Sequence, residues 1–264
     1  MNWKDKTVWI VGASSGIGEA LAYELAKKEA RIILSSRKEE SLKAIREQLL
    51  HWVNFCEVLP LDLEQNSDYV KMVSDLIAKV NKIDVLIING GISQRSLVLE
   101  TSGEVDRRIM EVNYFGNIAI AKAVLPYMLK AKSGHIMTVS SIVGKFGFPL
   151  RSAYSASKHA LHGFYETLRA EYQHQNIKVT IAIPGRVRTQ ISINALNKEG
   201  QAHGEMDPGQ ATGISAEKCA KDMIKAIEKN KKEVLIGGKE LLMVNIRRFL
   251  PSLYYKMVTK IEAK

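Results

Sequence analysis

The chain has 264 residues, 46% hydrophobic and 25% charged, with a net charge of +10, a balance that suits one large soluble α/β domain. No apolar run approaches the ~18 residues of a membrane span, and the opening MNWKDKTVWIVG lacks the apolar stretch of a secretory signal. Two cysteines far apart, Cys56 and Cys219, exclude a disulfide scaffold or a cysteine metal knuckle and point to the cytoplasm.

Short β-branched runs alternate with longer helix-periodic ones. KTVWIVG precedes a helix from about Gly16, RIILSS precedes EESLKAIREQLL, and FCEVLPL precedes SDYVKMVSDLIAKV, a helix expected from Ser67. IDVLIING leads to one long helix over about 103–131, GHIMTVSS to a helix over 152–172, and IKVTIAIPG and KEVLIGG close the series. This alternation predicts a single doubly wound α/β domain, with seven parallel strands and helices on both faces, over residues 1–238. Residues 186–214 break the pattern as a polar, glycine-containing loop, long enough to serve as a substrate lid. Residues 239–264 form a C-terminal helical extension, two pieces divided by Pro251.

Positive charge collects at this end: Lys221 to Lys264 holds 11 Lys/Arg against 5 Asp/Glu, +6 of the total. Such a segment suits a solvated surface first and an anionic partner second, and its apolar LLMV and LYYKMV suit a membrane surface, a cover on the substrate cleft or a partner subunit alike. A basic stripe studded with aromatics is missing, so nucleic acid is excluded as a partner.

The first strand ends in VGASSGIGEAL, that is Gly12-x-x-x-Gly16-x-Gly18 opening a helix. A turn of this kind lets backbone N–H groups and a helix N-terminus meet a pyrophosphate, with glycines allowing close approach. The second strand ends in LSSRKEE, with Ser36 and Arg37 where a free ribose 2′-hydroxyl would call for a carboxylate. A guanidinium there grips a 2′-phosphate through a fork of donors, so the expected cofactor is NADP(H).

Within SAYSASKHALHGFYETLRAEY, residues Tyr154, Lys158, Leu161, Tyr165, Leu168 and Tyr172 fall on one helical stripe. A lysine on a core-facing stripe needs a reason, because an ammonium is almost never buried unpaired. Tyr-x-x-x-Lys alone proves little, since Tyr23 and Lys27 repeat it where a helix ends in AKKEA. His159 and His162 on the same helix have no third ligand in sequence, and the reading is surface histidines with no metal. A hydrolase serine is excluded by the missing G-x-S-x-G elbow.

With these motifs placed, residues 5 to about 238 resemble the short-chain dehydrogenase/reductase family, whose fold is of the Rossmann type. GASSGIG is similar to its glycine motif, Asp62 in PLDLE to its adenine-contacting acid, and INGG (88–91) to its Asn-Asn-Ala-Gly element. Asn113 matches its helix asparagine, and Ser141, thirteen residues before Tyr154, its catalytic serine. The resemblance implies hydride transfer between nicotinamide and a carbonyl or carbinol carbon, with Asn113, Ser141, Tyr154 and Lys158 as catalytic residues. It implies a cofactor held by Gly12, Ser14, Ser15, Gly16, Ile17, Gly18, Ser36, Arg37, Asp62 and Leu63. On the nicotinamide side it implies Asn89, Gly90, Gly91, Tyr154, Lys158, Pro184, Gly185, Val187 and Thr189.

In this scheme Tyr154 is the proton donor in reduction. An ammonium 4 Å away favours phenolate by about 4 kcal/mol at an effective dielectric of 20, an upper bound of roughly three pH units on the lowering of its pKa. The resemblance further has Lys158 bonding the nicotinamide ribose, Ser141 orienting the substrate oxygen, and Asn113 holding a relaying water. The basic, apolar tail resembles those of reductases of steroid- or lipid-like carbonyls, including relatives of the 11β-hydroxysteroid dehydrogenases. An apolar small-molecule substrate and a homodimer or homotetramer are therefore expected, with a non-catalytic NADP-binding regulator as the alternative. Two positions depart from the family, Val11 for a usual Thr and Ile88 for a usual Asn. Both close central strands, where apolar side chains can pack together.

Overall fold

Every residue of the first strand, β1 (Thr7–Val11), is buried: Val8 and Ile10 pack on one side, Trp9 and Val11 on the other. That is how an unbroken apolar run behaves when helices cover both faces of a sheet. A computed structural model describes residues 1–65 and 68–260 of the chain. After β1 come α1 (Gly16–Ala26), β2 (Arg31–Ser35), α2 (Glu39–Leu49), β3 (Cys56–Val58), α3 (Tyr69–Val80) and β4 (Val85–Ile88). Then follow α4 (Gly103–Met110), α5 (Gly116–Lys130), β5 (Gly134–Val139), α6 (Ser152–Tyr172) and β6 (Ile177–Pro184). The chain continues through α7 (Pro208–Ala211), α8 (Ala216–Glu228), β7 (Glu233–Ile236), α9 (Leu242–Phe249) and α10 (Pro251–Val258).

The seven strands pair in parallel in the order β3-β2-β1-β4-β5-β6-β7. Helices α1, α2 and α8 cover one face, and α3, α5 and α6 the other. This is the doubly wound single domain expected. The strand order reverses between β1 and β4, and the crevice beyond the carboxyl ends of those strands is where such sheets take ligands.

Local signals place the helices. Asp68, Ser102 and Ser215 cap α3, α4 and α8, accepting from Lys71, Val105 and Lys218 N–H groups at 2.9, 3.3 and 3.2 Å. The expected start of α3 at Ser67 lies outside the described residues. The helix expected over 103–131 is one rod, but not one α-helix: Glu111–Phe115 forms a wide π-type turn between α4 and α5. Turns of this kind inside helices mark functional positions, and Asn113 is at its centre.

The segment 186–214 has no strand and carries only the short α7. It is tied by bridges from Val187 to Ile214, Leu196 to Ala202 and Leu196 to Gln94. The C-terminal extension divides at Pro251 as expected; its last four residues, 261–264, lie outside the described residues. Its Tyr254 is buried against Phe146, ring centroids 5.5 Å apart, and its hydroxyl donates to the Gly147 carbonyl. Among the described residues no helix is long and apolar enough to cross a membrane.

Candidate active site

The glycine turn closes onto the end of β4. A side chain at Gly12 (φ +84°) would place its Cβ 2.5 Å from the Gly90 nitrogen, and one at Gly18 2.0 Å from the Gly12 carbonyl oxygen. Asn89 Nδ2 donates to that same oxygen at 2.9 Å. Ser15, at the head of α1, offers its first turn no side-chain bond, so those N–H groups remain available to an anion. The turn lines a cavity of about 490 Å³ together with Ser14, Ile17, Ser36, Arg37, Asp62, Leu63, Gly90 and Gly91. Gly18 does not line it; its contribution is the close helix–strand approach.

Val11 and Ile88 are direct partners in the β1–β4 register, both fully buried in one cluster. The two departures from the family pattern therefore pack together as expected. At the far rim, Arg37 is half-exposed and stands 3.8 Å from Glu64, whose carboxylate Arg108 holds more tightly at 2.9 Å. The Arg37 fork thus keeps donor capacity toward the cavity it lines.

A second cavity, about 770 Å³, adjoins the first across Ile17, Asn89, Gly91 and Thr189. Ser141, Tyr154, Lys158, Pro184, Gly185 and Val187 line it, so all the sequence-predicted site residues except Gly18 and Asn113 border one continuous cleft. The stripe on α6 buries Tyr154, Lys158, Leu161, Tyr165 and Leu168, with Tyr172 half-buried. Lys27 of the second Tyr-x-x-x-Lys pair is exposed and pairs with Glu24 at 2.6 Å.

Lys158 is 3% exposed and donates to the Val139 carbonyl at 2.8 Å. Its Nζ lies 5.7 Å from the Tyr154 ring centroid. Burial moves its ammonium down to about 8, so it still carries its charge for most molecules at neutral pH. Tyr154 differs from the sequence expectation. Burial holds its phenol above the ordinary value, opposed by the Ser141 hydroxyl and then by the charges of Arg95 and Arg151. Lys158 keeps its ammonium on the Val139 carbonyl, over the face of the Tyr154 ring. Desolvation is the larger effect on the phenol and outweighs the depression expected from a neighbouring charge.

Asn113 is fully buried, and the π-type turn aims its amide at the strand end after β4. Its Oδ1 accepts from Ile92 N–H at 2.8 Å, and its Nδ2 donates to the Ile92 carbonyl at 2.9 Å and to Ser157 Oγ at 3.0 Å. A Cβ on Gly91 would come within 3.0 Å of Asn113 Oδ1 and 3.4 Å of Lys158 Nζ, so both polar groups crowd the place a side chain would take there.

His159 is exposed as expected, but His162 is not a surface histidine. It is buried, with Nε2 3.0 Å from Ser140 Oγ and Nδ1 3.3 Å from Glu233. One helical turn beyond Lys158, it faces β5 and β7 where the stripe alone gave no reason to bury it. The Ser140–His162–Glu233 order is that of a hydrolase triad, yet Ser140 Oγ also donates to the Lys158 carbonyl at 3.2 Å and leaves no room for a Cβ on Gly144. It braces the turn of α6 that carries the lysine. Glu166 brings a third ligand-type group to the same corner. Lys145 already occupies Glu233 at 2.6 Å, so the corner is an ion-pair cluster.

Sequence reasoning missed three charged residues that line the second cavity beside Tyr154: Arg95, Arg151 and Asp207. Arg95 forks onto the Asp207 carboxylate through Nε and Nη2, and Arg151 Nη2 reaches the same carboxylate at 2.7 Å. Arg151 heads α6, three residues before Tyr154, and that offset was the one available signal.

A seven-stranded parallel sheet with a glycine turn at its switch point is the architecture of the doubly wound class whose members take dinucleotides there. Residues 6–200 match the family described as short chain dehydrogenase, and the chain belongs to the short-chain dehydrogenase/reductase family of oxidoreductases. It is 40% identical to the dehydrogenase/reductase SDR family protein 7-like of Drosophila melanogaster, over 98% of this chain and 81% of that one. Its fold superposes on a short-chain dehydrogenase/reductase from Burkholderia phymatum in complex with NAD, with a TM-score of 0.85, 21% identity and 96% of each chain covered. It also superposes on an alcohol dehydrogenase from Thermococcus sibiricus complexed with 5-hydroxy-NADP, with a TM-score of 0.76, 22% identity, and 89% and 97% of the two chains covered.

Proposed function

We propose that the protein reduces an apolar carbonyl compound with NADPH, or oxidises the corresponding alcohol with NADP⁺. The observation that carries this reading is the convergence of Ser141, Tyr154 and Lys158 on a cleft continuous with the glycine-turn cavity. That cavity fits a dinucleotide, because the turn at Gly12 and Gly18 has no space for a Cβ and presents bare backbone. Gly12, Ser14, Ser15, Gly16 and Ile17 would hold the pyrophosphate, and Asp62 and Leu63 the adenine. Asn89, Gly90, Gly91, Pro184, Gly185, Val187 and Thr189 would hold the nicotinamide side. The bound cofactor supplies or takes the hydride.

The chain's own groups handle the proton. In reduction the Tyr154 hydroxyl gives its proton to the carbonyl oxygen, and the Ser141 hydroxyl donates a hydrogen bond that orients that oxygen. A positioned donor of this kind contributes roughly 10²–10⁴ in rate. Lys158, charged at neutral pH, steadies the phenolate left behind, and Asn113 fixes the Ile92 backbone beside it. Ser36 and Arg37, standing at the end of β2 where a free 2′-hydroxyl would call for a carboxylate, support NADP(H) over NAD(H). Phe146, Phe148, Met243 and Met257 wall the substrate half, which supports an apolar or lipid-like substrate.

The test is oxidation of NADPH and of NADH against small, aromatic, steroidal and long-chain carbonyls, with Tyr154→Phe alongside. NADPH-dependent turnover that falls at least a hundredfold in the variant is expected. Tight NADPH binding with no turnover on any of them would favour the alternative, a regulator of the same fold. Preference for NADH would defeat the role given to Arg37 and leave the chemistry standing.

A second reading concerns where the enzyme works. Helices α9 and α10 expose Leu242, Phe249, Leu250, Leu253 and Tyr255. Residues 242–260 carry four Lys/Arg and no Asp/Glu. That combination supports peripheral contact with an anionic membrane from the cytoplasmic side. Co-sedimentation with vesicles containing 30% phosphatidylserine, lost in high salt, is the expected result; no binding removes this reading. The family's homodimer or homotetramer is carried over as well, and light scattering measures it.

A further inference from the structure

The Arg95–Asp207–Arg151 cluster joins three distant parts of the chain: the loop after β4, the segment before α7 and the head of α6. Arg95 is spent on structure, since its Nη1 also donates to Ser93 Oγ at 2.9 Å and the Gln94 carbonyl at 2.6 Å. Arg151 Nη1 donates to the Pro149 carbonyl at 2.8 Å, and its guanidinium lies 5.1 Å from the Phe148 ring centroid. The arginine side chains are 5% and 17% exposed, and that of Asp207 is 24%. Two guanidiniums thus share one carboxylate in a desolvated wall, and one positive charge is left uncompensated. This wall belongs to the same cavity as the Tyr154 phenol.

We propose that Arg151, held by Asp207 and Arg95, is a positioning residue for proton transfer: its uncompensated charge favours the Tyr154 phenolate, and Asp207 on the 186–214 segment sets how much of that charge is felt. The inference rests on Tyr154 as the proton donor, and has the arginines share the electrostatic role expected of Lys158 alone. The direction in which Arg95 and Arg151 move the phenol agrees with it. Every charged or titratable group facing Tyr154 enters the balance. On α6 these are Lys158 and Arg151. Around the cavity are Arg95, Asp207, Arg186, Lys239 and Glu240, and α10 brings Tyr254. Asp207 is the member carried by the segment between β6 and α8, so displacing that segment would uncover both guanidiniums at once.

The test avoids any dependence on substrate. 3,5-Difluorotyrosine is placed at position 154, where its more acidic phenol titrates within the range the fold tolerates, and is followed by ¹⁹F NMR. The backgrounds are the natural sequence, Arg151→Gln, Arg151→Lys and Asp207→Asn, each checked for folding by near-UV circular dichroism. Arg151→Gln leaves the Arg95–Asp207 fork in place, so it removes charge without releasing the segment. Its midpoint is expected to rise by about one pH unit, the low end for a neighbouring charge. Arg151→Lys should return the midpoint to that of the natural sequence, and Asp207→Asn should lower it. A midpoint that stays put in folded Arg151→Gln overturns the proposal and leaves the cluster a structural clamp. So does an equal rise in Arg151→Gln and Arg151→Lys. Absence of turnover in the carbonyl panel would defeat the proposed function without touching this titration.

Discussion

At the glycine turn the cleft is shaped by close backbone approach, and around Tyr154 by side chains. Around Gly12 and Gly18 the chain approaches itself so closely that a methyl group has no place, and the contacts come from segments at strand ends fixed by the sheet. Around Tyr154 the walls are Phe146, Phe148, Arg95, Arg151, Asp207 and Met257, drawn from loops and from helices outside the sheet. Backbone walls hold one shape and recognise the shared portion of a cofactor. Side-chain walls can be exchanged while the sheet stays as it is, which is how one fold hosts many substrates.

The sharpest way to break this contrast is Gly18→Ala. Its Cβ would meet the Gly12 carbonyl oxygen at 2.0 Å, so the turn must open. A cost of about 3 kcal/mol is expected, seen as a melting temperature lower by roughly 6–12 °C and at least a hundredfold weaker NADPH binding by calorimetry. Unchanged melting and affinity would show the backbone wall to be as pliable as the other.

His135 is the control, on β5, the strand that carries Val139 and leads to Ser141. Burial, with a smaller contribution from Lys178, moves its imidazole from 6.5 down to about 4. Its folded form binds the proton less readily than the unfolded chain, so stability is fully present above pH 6.5 and drains as pH falls through 4. The difference is about 3 kcal/mol. Urea unfolding at pH 7 and pH 4 should show that loss in the natural sequence and much less of it in His135→Gln. Equal losses would move the acid sensitivity elsewhere.

Smallest is Tyr254→Phe, which removes one hydrogen bond from the helical wall, to the Gly147 carbonyl. About 1 kcal/mol is expected, with NADPH affinity untouched because the nucleotide half does not feel it. A loss of NADPH affinity would mean the two halves are coupled.

The same contrast explains what could be read from the sequence. Glycine spacing, the alternation of apolar runs and the Tyr–Lys offset are local patterns, and each put its residues where the structure has them. Val11 and Ile88, read as packing together, proved to be register partners. What stayed hidden depends on long-range pairing. Arg95 and Asp207 are 112 residues apart, and nothing near either one announces the other. His162 is buried because Ser140 and Glu233 arrive from β5 and β7 to meet it. The elevation of the Tyr154 phenol followed from how deeply α6 sinks, which its periodicity does not measure.

The wide turn at Glu111–Phe115 has one more consequence, in the phase of the rod it interrupts. Upstream, Val105 and Ile109 pack with Ala153 and Leu196 beside the cleft; downstream, Ile120, Ala121 and Val124 pack onto the sheet. Each residue of an α-helix advances the screw by about 100°, so the two halves share a thread that is out of step by design of the turn. Deleting a single residue there would rotate one half against the other, turning either the cleft-side pair or the sheet-side row toward water. The asparagine at the centre of the turn, bonded to Ile92 and Ser157, would be carried out of place with it.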